Sequence, residues 1–512
     1  MDVCAAHAGR GRRGVNWAWR HRYRVRALGR AHGWSPLALA GTPASRPRVV
    51  LVDTTRHLTR MRLAGSGPAA VVAQAGATME ELLGFLEEAG LGLVAHPAPG
   101  DLTVGGVLAI DGHGTAAPAR GEHRARGETF GSVSNLVLSL TAVVWSERRC
   151  RYVLRTFDRD DPACAGLLTH LGRALVTSVT LRAGPLRRVR CVSYTDVPAD
   201  ELFAAPGAAG RTFASFLEAS GRVEAIWYPF TDAPWLKVWT VSPRRPPGAR
   251  VVRAPYNYPF SDTLPDAEQR AIRQGVLANP SEAVALGQAS YAETVAQLGA
   301  ENSGDIWGAA KDVLLYVRPS TLRVTANGYA ILTRRRDVQR MISDFVGRYR
   351  AVVARYRAQG LYPLNMPVEI RVTGLDHRRD VGVDGAQPAL LSALAPRADH
   401  PRWDVAVWLD ILSLPGTPAA NRAYWDIERW IFAHYRPPYA AVRPEWSKGW
   451  AYTARGAWTN RRFLERTLPR AFRVGRPPDQ TWDAAVRTLE RLDPHAVFTS
   501  PLLRSLLRAR SR

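Results

Sequence analysis

Lysine is nearly missing from this chain. Of 69 basic side chains only Lys237, Lys311 and Lys448 are lysines; the arginines are spread over the whole length, so the formal charge of +24 reads as compositional bias and not as a phosphate-tracking stripe. No zinc-finger spacing, RNA-recognition signature or basic heptad accompanies the charge, so nucleic acid is not expected as a partner. Peripheral contact with anionic membrane surfaces stays open. Cysteine is sparse too. Cys4, Cys150, Cys164 and Cys191 lie far apart without a C-x-x-C pair, which argues against a disulfide framework, a zinc site and an iron–sulfur cluster, and no metal is expected. The longest apolar run, "NLVLSLTAVVW", falls well short of the roughly 18 residues of a membrane span. No apolar stretch follows the basic residues of the opening segment, so no secretory signal is read there, and the compartment is left open. The G-x-G-x-x-G loop of dinucleotide folds is absent.

What is present is a large apolar fraction, 46%, with 16 tryptophans in 512 residues, enough for two or three packed domains. Up to about residue 185, "YRVRAL", "RVVLVDTT", "AAVVAQAGA", "LVLSLTAVVW", "RRCRYVLRT" and "ALVTSVTLRA" read as strands. Between them "TMEELLGFLEEAGLGL" reads as a helix with Thr78 as N-cap, Glu81 as capping-box partner and Gly90 as stop. A break at "GPLRRVR" opens a second region rich in tryptophan and proline turns. Its long helix, "RDVQRMISDFVGRYRAVVARYRAQG", repeats Met341, Phe345, Val352 and Tyr356 on one apolar face, which predicts core packing.

Three loops carry chemistry. Gly29-Arg30-Ala31-His32-Gly33 ends a strand with close-set glycines, so that consecutive N–H groups can converge on an anion such as a pyrophosphate. In "HPAPGDLTVGGVLAIDGHGTAAP", Gly100, Gly105, Gly106, Gly112 and Gly114 bracket Thr103 and predict close approach of a planar, phosphate-bearing ligand to the main chain. In "HLGRALVTSVTLRAGP" a strand follows a glycine turn, and its edge is expected to take a purine through backbone groups.

In that order the loops and the intervening helix resemble the FAD-binding domain of the vanillyl-alcohol oxidase, or PCMH-type, superfamily. From "GRVEAIWYPFTDAPWLKVW" through "PVEIRVTGLD", "WDVAVWLDILSLPGTP", "RPEWSKGWAYT" and "LDPHAVFTSPLL" the chain resembles the type II, flavin-linked cholesterol oxidases of bacteria. The resemblance implies an α+β protein. A PCMH-type FAD domain spans residues 1–187, a larger antiparallel-sheet substrate domain covered by helices spans 188–475, and a segment 476–512 returns to the flavin domain. Family members carry a strand before "VNWAWRHRYRVRA", so the first strand of the flavin domain is expected to be missing from this chain. The reaction implied is oxidation of the 3-hydroxyl of a sterol by a monomer, with hydride passing to FAD and oxygen leaving as hydrogen peroxide. Another alcohol, a sugar lactone, or a truncated non-catalytic flavin-binding homologue are the rival readings.

FAD contacts are expected from Gly29, Arg30, Ala31, His32, Gly33, Ser35, Gly100, Asp101, Leu102, Thr103, Gly105, Gly106, Ala109, His113, Gly114 and Val176. By the resemblance His32 bonds covalently to the flavin; the alternative is a hydrogen bond to dissociable FAD. His113 reads as packing on the flavin or closing its own loop. Oxidation needs a base, and a buried carboxylate suits it because desolvation raises its pKa. Glu224, among Val223, Ile226 and Trp227 on an apparent strand, is that candidate. Glu369 and Arg371 at i and i+2 point to one face of a strand. They are either an oxygen-gating pair implied by the resemblance or a surface ion pair on a solvated sheet. Asp410, on an apolar strand, joins the same cavity and stands where the family pattern has an amide. Arg443, Glu445 and Lys448 in "RPEWSKGW" belong either to the packing of the sheet on the flavin or to the lining of the active site.

Overall fold

The computed structural model describes residues 8–38, 48–65, 69–258, 264–314 and 322–507. Cys4 and residues 315–321 of the second-region motifs lie outside them. In the first half β1 (Arg24–Leu28) and β2 (Val49–Asp53) pair in parallel. Strands β3 (Met61–Leu63) and β4 (Ala70–Gln74) begin an antiparallel sheet. After the helix Met79–Glu88, the short β5 (Leu91–Gly92) and the helix Val104–Ala109, that sheet is completed by β6 (Val137–Ser146), β7 (Arg151–Asp158) and β8 (Leu175–Arg182), in the order β3-β4-β8-β6-β7. β9 (Gly184–Pro185) pairs back with β5.

The helix Met79–Glu88 starts where the capping box puts it. Glu81 N donates to Thr78 Oγ1 at 3.2 Å and Thr78 N donates to the Glu81 carboxylate at 2.8 Å, so two end-of-helix donors are satisfied at once. One local expectation is corrected. Glu147–Arg149 curl into a 3-10 turn, so β7 begins at Arg151 and not at the preceding arginines. The strand holding Val176 is central over most of its length, since β8 lies between β4 and β6, but Leu175–Thr177 run past the end of β4 and leave Val176 an open side there.

The second half is built on one nine-stranded sheet. Its strands are β10 (Arg188–Tyr194), β11 (Arg222–Trp227), β12 (Trp235–Val241), β13 (Arg250–Val251), β14 (Asp305–Ala309), β15 (Thr325–Thr333), β16 (Val368–Gly374), β17 (Val405–Ser413) and β18 (Ala441–Pro444). Their order is β13-β14-β10-β12-β11-β16-β17-β15-β18, antiparallel except for β13 with β14. Alternation sorts the residues. Val223, Ala225, Ile370, Val372, Val407 and Leu409 share a core with Met341, Phe345, Val352 and Tyr356 of the helix Val338–Arg357. The intervening residues face the other way, toward the first half.

Several ties join the halves. Ser132 donates through N and Oγ to Asp376 at 2.8 and 2.7 Å, and Ala393 N donates to Asp111 at 2.8 Å. Near the end of the chain Val25 N donates to Val497 O at 2.9 Å, which sets that segment along β1. Arg26, buried on β1, donates to Leu37 O at 2.7 Å and Phe498 O at 2.9 Å, so one guanidinium fixes both the loop after β1 and the late segment.

Candidate functional site

Antiparallel register lines up residues that are far apart in sequence. Across five strands Ser193, Lys237, Glu224, Arg371 and Trp408 stand directly opposite one another in turn. The next row runs through Ile226, Glu369, Asp410 and Gly328. Cross-strand neighbours are the side chains of a sheet that interact most strongly, so the two rows form one cluster.

Arg371 is its centre. It donates to Glu369 Oε2 at 2.9 Å and to the Asp410 carboxylate, and its Nη1 lies 3.6 Å from Glu224 Oε1. The surface ion pair on a solvated sheet is thereby excluded, because Arg371 is largely buried and Asp410 wholly so. Burial pushes the Glu224 carboxyl up and Arg371 opposes it. For Asp410 burial is outweighed by Lys448 and Arg371, which hold it below its ordinary range. Lys237 is wholly buried, its Nζ 4.1 Å from the ring centre of Tyr258 and 4.5 Å from that of Trp235. Aromatic faces add to the attraction of the opposing Glu224 carboxylate.

The loop after β18 covers the cluster. Lys448 Nζ is 3.6 Å from Asp410, and Glu445 Oε1 accepts from Ser447 Oγ at 3.0 Å. The loop also seizes the glycine loop after β1: Trp34 N and Ser35 N donate to Ser447 O at 2.8 and 3.1 Å. His113 stacks on Trp408, ring centres 3.6 Å apart and planes 9° off parallel, and its Nδ1 meets Gly114 O at 3.0 Å. Burial and Arg371 push its imidazole down to about 3, so it stays neutral.

The glycine-rich segment is packed tightly against its neighbours. A Cβ on Gly105 would stand 2.9 Å from Ala75 Cβ, one on Gly112 2.6 Å from Val107, one on Gly114 2.5 Å from His96 O and one on Gly29 2.4 Å from Thr103 Oγ1. These glycines draw the loops onto one another. Thr103 caps the helix Val104–Ala109 by accepting from Gly106 N at 3.3 Å, while Gly100 O and Leu102 O receive Glu80 N and Met79 N. Ala109 O receives Leu171 N, and Ala75 joins Gly105 N to Thr177 O, next to Val176. The unpaired amides lie in the first loop. Among the described residues the N–H groups of Arg30, Ala31, His32 and Gly33 donate to no protein acceptor, and Ala31 has φ of 52°, the left-handed turn of an anion nest. Asp101 Oδ1 is buried without a hydrogen bond, 3.8 Å from His32 Nδ1. Free amides beside a histidine and an unpaired carboxylate oxygen fit a phosphate-bearing, hydrogen-bonding cofactor such as FAD.

The predicted residues therefore gather in two groups, the loop residues around His32 and the charges around Arg371, bridged by Lys448, whose ammonium lies 4.4 Å above the Trp34 ring centre. Sequence reasoning missed Trp408 and Lys237. A lysine in a chain that otherwise uses arginine was the available signal for Lys237.

A family model described as a cholesterol oxidase substrate-binding domain matches residues 188–508, and one described as an FAD-binding domain matches residues 2–147. Among solved structures, a solvent-stable cholesterol oxidase is 55% identical with a TM-score of 0.96, covering 98% of this chain and 94% of its own. Cholesterol oxidase from B. sterolicum is 45% identical with a TM-score of 0.95 over 99% of this chain and 93% of its own. A histidine-to-alanine variant of the Brevibacterium sterolicum enzyme is 44% identical with a TM-score of 0.95, over 99% of this chain and 94% of its own. Among curated proteins no relative matches.

Proposed function

The chain belongs to the FAD-linked cholesterol oxidases, and from that membership we propose that it oxidises the 3-hydroxyl of a sterol, with Glu224 as base, His32 as covalent anchor of the flavin and hydrogen peroxide as the reduced product. It is an FAD-dependent oxidoreductase acting on the CH–OH group of a sterol, with oxygen as acceptor. FAD, when bound, supplies the hydride acceptor.

Glu224 takes the hydroxyl proton. Burial raises its affinity for that proton while Arg371 at 3.6 Å keeps the carboxylate form accessible, and the two opposed effects make a usable base. Arg371 is aimed by Glu369 on its own strand and by Asp410 on the next. His32, kept neutral by burial and by Lys448 against the pull of Asp101, presents the uncharged ring nitrogen that a C–N bond needs. The stacked pair His113 and Trp408 walls the cluster on the side of the glycine segment. We take the chain as a monomer, and its contact with membranes as peripheral.

The observation that carries this reading is a buried carboxylate beside Arg371, on a sheet face joined through Lys448 to the anion-binding loop. The test is anaerobic mixing of the flavin-loaded protein with cholesterol or with a small polyol. Cholesterol should bleach the flavin band and the polyol should not; the reverse result overturns the substrate. Glu224→Gln should keep the band but bleach roughly 10²–10⁴ times more slowly, and an unchanged rate removes Glu224 as base.

A further inference from the structure

We propose that Asp410 and Glu445 share a single proton, which makes the buried charge cluster neutral and fixes how Arg371 divides itself between Glu224 and Glu369. Strand β17 sets Asp410 in the sheet face, and the turn after β18 lowers Glu445 onto it. Their facing oxygens, Asp410 Oδ1 and Glu445 Oε2, lie 2.6 and 2.8 Å from the point a Cβ on Gly328 would occupy, so the glycine there lets both carboxyls converge. Both oxygens are buried, and among the described residues neither accepts a hydrogen bond from a donor. Two buried acceptors brought together with no donor are unfavourable unless a proton lies between them.

Charged groups face the pair from three strands and the loop after β18. Arg371 and Glu369 reach it from β16, Glu224 stands behind Arg371 on β11, and Lys448 is 3.6 Å from Asp410. His113 Nε2 lies 3.9 Å from Glu445 Oε1, and Ser447 Oγ donates to that same oxygen. Glu224, Glu369, Asp410 and Glu445 bring four negative charges, while Arg371, Lys448 and Lys237 bring three positive ones. One proton closes the difference, and a buried cluster with net charge is costly. Burial and Asp410 push Glu445 up to about 8, so the proton resides on Glu445 and is donated to Asp410. Asp410 is thus a positioning residue. It acts through Arg371, and an amide at 410 would bridge to Glu445 with its own N–H and need no shared proton.

The test is infrared spectroscopy of the flavin-loaded enzyme at pH 6, comparing the unaltered protein with Asp410→Asn and Glu445→Gln, each checked for native circular dichroism. Above the constant contribution of Glu428 and Asp111, which burial pushes up to about 8 and about 7, the unaltered protein should show a further C=O stretch of a protonated carboxylic acid, shifted in D₂O, that both variants lose. Persistence of that band in either folded variant, or its absence from the unaltered protein, overturns the proposal. Turnover of the unaltered enzyme should change through the pH at which the band disappears, and Asp410→Asn should lack that limb. This last link rests on the oxidase reading. The band needs no turnover, so the shared proton and the oxidase activity can fail independently.

Discussion

Lys448 and Trp34 stand face to face, the ammonium 4.4 Å above the indole, although 413 positions separate them in the chain. The contact joins the two halves of the site at its midpoint. One side of Lys448 holds the charge cluster through Asp410, and the backbone next to it holds Trp34 and Ser35. Lys448→Met keeps the stem and removes the charge, so it should cost about 3–5 kcal/mol, because Asp410 loses a buried counter-charge along with the cation–π contact, read by urea denaturation. Lys448→Arg should restore part of this.

Removing His32 tests the anchor. Acid precipitation of the unaltered holoenzyme should leave the yellow chromophore in the pellet, whereas His32→Ala should release it to the supernatant. Colour retained in the variant pellet would place the bond elsewhere.

Gly105, Gly112 and Gly114 of the second loop are predicted to tolerate no side chain. Gly114→Ala drives a Cβ to 2.5 Å from His96 O and 2.8 Å from His96 N, both main-chain atoms that cannot swing aside. Overpacking of that kind costs roughly 1–3 kcal/mol, and flavin content should fall with it. Gly84→Ala is the contrasting control, since Gly84 lies inside the helix Met79–Glu88 with nothing within 4 Å of its missing Cβ. It should stabilise by about 0.5–1 kcal/mol.

Acid–base linkage gives a further test. Glu445 in the folded protein is pushed up to about 8, against about 4.3 in an unfolded chain. Between those values the folded state binds more protons than the unfolded one, so stability falls as pH rises through that window. Glu445→Gln cannot titrate and should flatten the slope of unfolding free energy against pH. An unchanged slope would show that Glu445 ionises normally.

What the sequence reveals and what it hides divides by range. The capping box of Thr78 and Glu81 is read correctly because every interaction that makes it lies within four residues. Alternation likewise put Glu369 and Arg371 on one face. The burial of that pair was not readable, since it depends on β11, β17 and the loop after β18 closing over it. Nor could "RPEWSKGW" declare its role while its partners Trp34 and Asp410 were unplaced. How much of β8 stays open is likewise hidden from the sequence, because it is decided by where its neighbour β4 ends and not by its own residues.

Pleating makes the catalytic face an all-or-none inheritance. Because adjacent positions of β11 alternate between the charged row and the helix-covered core, deleting one residue ahead of Glu224 would turn Val223 or Ala225 toward the charged row and drive the carboxylate among Phe345 and Val352. Such a lineage loses the proposed base and buries an unpaired charge in its own interior in a single event. Divergence in this sheet must therefore proceed by exchange of side chains at constant strand length, with insertions confined to the turns between strands.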